Sequence, residues 1–288
     1  MSNFKKWLKA VFSEEFRTNS FSLKFPNTEL FSESPWFPPA LFIIYRLVVT
    51  SCCVIFTVES VYNTPSYLWL VQFDNWSIST VCLYFVLTTL LLIYYTTKTW
   101  RDNNIEKTKL DEPRAEKGCV DDEQGENESE LLWAASEGGE EEDCEDKLPC
   151  YHKIVWLLQT IAANSILVVT FCYVLLEEQL NALVLSVYLS FSVFMIADAI
   201  FSFAPIRLLH VVYSYVFTLA YVFVVVGYYF VVVDSQMPGM PRFVNRIQGP
   251  FSSVMVSLIL ILGQPLFQML YFTIHKLNCL AYFKYYGY

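Results

Sequence analysis

Six stretches of this chain, 37–58, 76–97, 154–176, 180–203, 208–233 and 251–274, are apolar for at least twenty residues each. The hydrocarbon core of a bilayer is about 30 Å thick, and a helix crosses it with about 20 mostly apolar residues. Inside that core a backbone N–H or C=O finds no water to bond, so a spanning segment must satisfy itself as a helix. Six crossings within 288 residues leave little chain for a soluble domain. The predicted fold is all-α: a six-span transmembrane helix bundle with its sites between helices. An apolar fraction of 55% and a mean hydropathy of +0.39 fit that solvent and no ordinary soluble domain.

The acidity of the chain is local. Residues 98–153 carry 8 Lys/Arg against 18 Asp/Glu, a net of −10, whereas the whole chain carries −9. The rest is nearly neutral, and no basic stripe suits a nucleic acid. A segment this charged and this poor in apolar residues is expected to be disordered. The organisation predicted from these patterns has five parts. An amphipathic N-terminal segment (1–36) precedes a two-span hairpin (37–97). The acidic loop (98–153), a four-span block (154–274) and a polar tail (275–288) follow. In the first part Phe4, Trp7, Leu8, Val11 and Phe12 recur at helical spacing among Lys5, Lys6 and Lys9. Such a helix either lies on an anionic membrane surface or packs on the ends of the bundle. The first 36 residues lack the apolar centre of a signal peptide, so the first span is expected to act as the insertion signal.

Basic residues are retained on the cytosolic side during insertion. Six spans place 16 Lys/Arg on the side of the two ends and the acidic loop, and 2 on the other. Both termini and the loop are therefore predicted to be cytosolic. No cysteine falls in an outer connection, so no disulfide is expected. Cys150 and Cys279 flank membrane boundaries, as acylation sites or as free thiols. Asn75-Trp-Ser is an outer glycosylation sequon that abuts the second span, and Asn127-Glu-Ser is an inner one. The expected partners are membrane lipids and a cytosolic protein docking on the loop around residues 130–135. No cofactor is implied, and no metal-ligand spacing occurs.

Ionisable groups at membrane depth are costly and therefore informative. Arg46, Asp198, Arg207 and His210 form the predicted intramembrane polar cluster. The structural reading is an Arg46–Asp198 pair whose hydrogen bonds are completed by His210 or by Tyr hydroxyls. The functional reading is a polar cavity for an ion, a proton or a lipid headgroup. Asn164 is expected to bond across helices. Glu59 reads as interfacial and Tyr221 as a packing residue. No catalytic residue is assigned. The chain has three histidines and nine glycines, and no nucleophile–base spacing, GxSxG, HExxH or phosphate loop.

The run Asp198-x6-Pro205-Ile-Arg207-x2-His210 joins two spans and leads into a helix with Tyr213, Tyr221, Tyr228 and Tyr229. It resembles the rolling stone family of insect multi-pass membrane proteins. Glu15-Phe16, Pro35-Trp36, Tyr45-Arg46 and Trp69-x6-Trp76 are similar to family features in the same order. That resemblance implies a six-span plasma-membrane protein linked to cell–cell fusion, myoblast fusion in particular. More remotely, the chain is similar to androgen-regulated membrane hydrolases of fatty-acid esters of hydroxy fatty acids, which use a Thr and a His. Those positions here are Asp74 and Tyr188. An unperturbed phenol, with a pKa of about 10, is no general base near neutral pH. Asp74 and Tyr188 are instead expected to line a lipid cavity. The resulting expectation is a non-enzymatic membrane protein of cell–cell fusion, adhesion or membrane organisation. An intramembrane lipid-ester hydrolase, or a small transporter around Arg46 and Asp198, stands as the alternative. The outer connections 59–75 and 234–250 are too short for a stand-alone fusogen's ectodomain.

Overall fold

A computed structural model describes residues 34–63, 69, 71–111, 149–176, 181–235 and 258–286. The predicted amphipathic segment at 4–12, the patch at 130–135, the Asn127 sequon, and Cys119 and Cys144 lie outside these residues. The described residues are helical, without strands. The elements are α1 (Pro39–Asn63), α2 (Phe73–Asp111), α3 (Cys150–Leu176), α4 (Ala182–Phe201), α5 (Val211–Ser235) and α6 (Gln264–Tyr286). A 3-10 turn, Leu208–His210, leads into α5, and a π-helical turn, Ile259–Gly263, leads into α6.

Five helical segments are long and apolar enough to cross a membrane: Pro39–Tyr62, Phe73–Asp102, Cys150–Leu175, Ala182–Phe201 and Leu208–Tyr228. The sixth predicted span is described only from residue 258. Its helical part, α6, carries Gln264, Gln268, His275, Lys276 and Asn278. The chain is therefore an all-helical, multi-pass membrane protein by its described residues. Two boundaries differ from the sequence reading. Helix α2 continues 14 residues beyond 97, across the start of the stretch expected to be disordered, and ends at Asp111. A helix already nucleated in the membrane extends cheaply, one bond per residue, and residues 98–111 contain no proline or glycine. Helix α6 likewise runs to Tyr286, through most of the segment expected to be a tail.

The helices alternate in direction around α3. Neighbouring helices bury 78% of its apolar window, against 22–50% for the other four spans. Small buried residues on α3, Ala162, Ala163 and Ser165, let neighbouring backbones approach closely. Hydroxyls along the spans bond back to carbonyls four residues earlier, as in Ser77 to Phe73, Thr80 to Trp76 and Thr96 to Leu92. These bonds satisfy hydroxyls that have no water to bond at membrane depth.

Helix ends are fixed by local chemistry. The Asn181 side chain accepts from the Leu183 N–H at 3.0 Å and caps α4. At the far end the Ser202 N–H bonds to Asp198 O, and the Ser202 hydroxyl accepts from the Ala204 N–H. Ser202 and Arg207 are extended, so the chain turns out of α4 before Pro205. The Trp156 indole N–H holds this connection by donating to Pro205 O at 2.6 Å. At the same end of the bundle Trp36 donates to Asn278, and Asn278 donates to Ile200 O, tying the start of the described chain to α6 and α4.

Candidate functional site

Arg46 on α1 and Asp198 on α4 meet in the bundle interior. Arg46 Nη2 lies 2.6 Å from Asp198 Oδ1, with 2% and 1% of the two side chains exposed. The contact is a close ion pair rather than an aligned hydrogen bond, since Oδ1 has no bonded donor. Alignment comes from α2. The Tyr84 hydroxyl donates to Asp198 Oδ2 at 2.5 Å, and Arg46 Nη1 donates to the Thr88 hydroxyl at 3.1 Å. The guanidinium also lies 5.1–6.0 Å from the ring centres of Phe42, Tyr84 and Phe85, within cation–π range. Three helices thus converge on one charge pair.

The predicted polar cluster of four resolves into two groups. Arg207 and His210 pack on Trp156 instead of completing the pair. The Arg207 guanidinium lies 5.3 Å from the Trp156 ring centre, and the His210 ring lies 4.7 Å from it. His210 is fully buried and neither ring nitrogen has a hydrogen-bond partner. Of the partners expected for the pair, the Tyr hydroxyl fills the role and His210 does not. Tyr84 and Thr88 were not singled out in the sequence, because a lone Tyr or Thr within an apolar run reads as packing.

Asp74 and Tyr188, far apart in sequence, are in contact. The Tyr188 hydroxyl donates to Asp74 Oδ2 at 2.6 Å. They stand on the wall of a cleft of about 210 Å³ between α1, α2 and α4, at the end of the bundle opposite Trp36. Its polar lining is Glu59, Ser60, Gln72, Asp74, Asn75 and Tyr188. Its apolar walls are Phe56, Ile78, Leu183, Val184 and Val187. Asp74 sits in the first turn of α2, where the helix dipole favours a negative charge. Tyr188 is braced by the Tyr173 ring at 5.2 Å, and Tyr173 bonds the turn at Asn181.

Asn75 organises the floor of the cleft. It is 3% exposed. Its amide nitrogen donates to Trp69 O and to Gln72 Oε1, and its oxygen accepts from Ser60. A side chain so enclosed and fully bonded has no room for the glycan that its sequon would invite. Glu59, read from sequence as merely interfacial, is exposed at this cleft. The sequence signal for the cleft was a concentration of polar residues, Glu59-Ser60 and Gln72 to Asn75, on either side of the first connection.

Two further groups behave as expected or better. Asn164 bonds across helices, to Ser214 on α5 at 3.0 Å and to Gln268 on α6 at 2.7 Å. Tyr221 packs against Phe73 and Trp76, and its hydroxyl also donates to Val71 O. The six described cysteines are free thiols. Among the described residues no group of three or more His, Cys, Asp or Glu is placed to hold a metal ion. A comparison with protein-family models, with curated proteins and with solved structures finds no match.

Proposed function

We propose that this chain is a plasma-membrane protein that crosses the bilayer six times, with both termini and the acidic loop in the cytosol. It acts without catalysis in cell–cell fusion or adhesion, by organising lipid where membranes meet. The rolling stone resemblance of residues 198–210 supplies the biological process. The observation that carries the non-enzymatic reading is the Tyr188–Asp74 bond. The two positions where the remote hydrolase pattern has His and Thr hold each other as donor and acceptor. No histidine lines their cleft, so an attacking group there has no imidazole to take its proton.

The transporter reading is disfavoured by burial. Arg46 and Asp198 are almost inaccessible, are held by α2, and do not line the cleft. Such a pair stabilises one helix arrangement more readily than it passes an ion. Membrane lipids are the partners this reading implies, together with a cytosolic protein on the acidic loop.

The test is loss and rescue in cultured cells that fuse. Removing the protein lowers the fraction of nuclei in multinucleate cells, and re-expression restores it. Fusion unchanged by removal would discard the role. Turnover of lipid esters by the purified protein, lost on Asp74→Ala, would restore the hydrolase alternative.

A further inference from the structure

We propose that the cleft between α1, α2 and α4 binds a small zwitterion that joins a primary ammonium to a phosphate or carboxylate, the chemistry of an aminophospholipid headgroup. This rests on the lipid-organising reading and names its ligand.

Three features of the cleft select that chemistry. The first is charge. Glu59 stands exposed and Asp74 lies half-buried on the wall, and no Lys, Arg or His is among the described lining residues. The Tyr188 hydroxyl contributes a hydrogen-bond donor to Asp74 but no positive charge. Among the described residues, the two carboxylates therefore face one cleft without a cation.

The second feature is an unused donor. Gln72 lines the cleft and is 5% exposed. Its orientation follows from the network around it. Trp69 O is a backbone carbonyl and can only accept, so the Asn75 amide must turn its NH₂ toward it. That same NH₂ reaches Gln72, which must present Oε1. The Gln72 NH₂ is left with no acceptor among the described residues. With the rest of the side chain enclosed, this donor is free to bond whatever occupies the cleft. It calls for an anionic or carbonyl oxygen on the occupant. A cation alone answers the carboxylates and leaves Gln72 unpaired; an anion alone does the reverse. A zwitterion answers both.

The third feature is size and lining. The cleft measures about 210 Å³. It falls below the ~300 Å³ at which pockets for drug-sized ligands begin. It is the size of a headgroup and smaller than a whole lipid. Phe56, Val184 and Val187 line its apolar side, against which methylenes can lie. A quaternary ammonium would instead need an aromatic cage, and among the described lining residues only Phe56 and Tyr188 are aromatic. Carboxylate oxygens reward N–H donors, so ethanolamine-type headgroups are preferred over choline.

The experiment uses the purified full chain in detergent and native mass spectrometry. Phosphatidylethanolamine and phosphatidylcholine with identical acyl chains are supplied together, and soluble phosphoethanolamine is added as competitor. Retention of the ethanolamine lipid over the choline lipid by about tenfold is expected, the scale of one charge-assisted hydrogen bond. Glu59→Gln, at an exposed position that leaves the fold intact, and Asp74→Asn, which keeps an acceptor for Tyr188, should each remove most of that preference. Gln72→Glu, which keeps an oxygen for the Asn75 NH₂ and removes the free donor, should weaken retention of the ethanolamine lipid while leaving the protein monodisperse. Competition by phosphoethanolamine shows that the headgroup is what is recognised. Binding of phosphoethanolamine without the lipid assigns the site to a soluble zwitterion of the same chemistry. Equal retention of the two lipids with no phosphoethanolamine binding overturns the proposal, as does a preference untouched by both acidic-site variants. Because this assay contains no cells, its failure is separate from failure of the fusion assay.

Discussion

Two tyrosine–aspartate bonds join α2 to α4, and they do different work. Tyr84 of α2 donates to Asp198 of α4 at 2.5 Å; Tyr188 of α4 donates to Asp74 of α2 at 2.6 Å. Each pair is 114 residues apart, which means the two helices run parallel in one register, with α3 passing back between them. The bonds lie ten positions apart along the helices, about 15 Å at 1.5 Å per residue. In the interior the aspartate has an arginine beside it and no exposure. At the cleft no cation stands beside it among the described residues, and open space lies in front of it. The same bond is therefore a lock in one place and a wall of a site in the other. Local dielectric and a missing partner, more than residue type, separate structure from function here.

The largest effect should follow from breaking the lock. Arg46→Ala or Asp198→Ala leaves an uncompensated buried charge, at a cost of about 3–5 kcal/mol. That is a large part of the ~5–15 kcal/mol by which folded domains are stable. Thermal melting in detergent and the size-exclusion profile should show it as aggregation or loss of the protein. The double change Arg46→Met/Asp198→Leu should recover most of the loss, because two apolar side chains replace two desolvated charges. A double variant no better than either single would mean that the pair does more than hold helices.

Next in size is Tyr84→Phe. Removing a hydrogen bond to a buried carboxylate costs about 1.5–3 kcal/mol, read from the melting temperature. In the Arg46→Met/Asp198→Leu background the sign should reverse. There the Tyr84 hydroxyl has lost its acceptor, and Phe should stabilise. Coupling of this sort is expected for side chains in direct contact. An equal loss in both backgrounds would show that Tyr84 acts by packing and not through Asp198.

How much of this was legible in the sequence follows from the same contrast. Apolar length announced the spans, because lipid imposes a helix wherever it is sustained. Arg46 and Asp198 announced themselves as the costly charges of the bundle interior. Their helpers did not. Tyr84 and Thr88 are ordinary residues in an apolar run, and only the parallel register of α2 and α4 brings them to the pair. His210 misled for the opposite reason: its place beside Arg207 and near Asp198 in the sequence suggested one cluster. The extended connection at 202–207 carries it away onto Trp156. Helix ends were the least legible. Charge density at 98–111 argued for disorder, yet a helix rooted in the membrane carries on through it. The cleft could be glimpsed only as polar residues near the first connection, since α4 supplies one wall from more than a hundred residues away.

The smallest effect should come from Tyr188→Phe. It deletes a bond of nearly the same length as Tyr84→Phe does, to the same kind of group. Asp74, however, is half-buried at an open cleft, and water can take the place of the lost hydroxyl at little cost. A loss under about 1 kcal/mol is expected, against the larger figure for Tyr84. The difference between the two variants measures how wet the cleft is in the folded protein. If the two losses match, Asp74 is as desolvated as Asp198, and a site that admits a polar headgroup cannot be there.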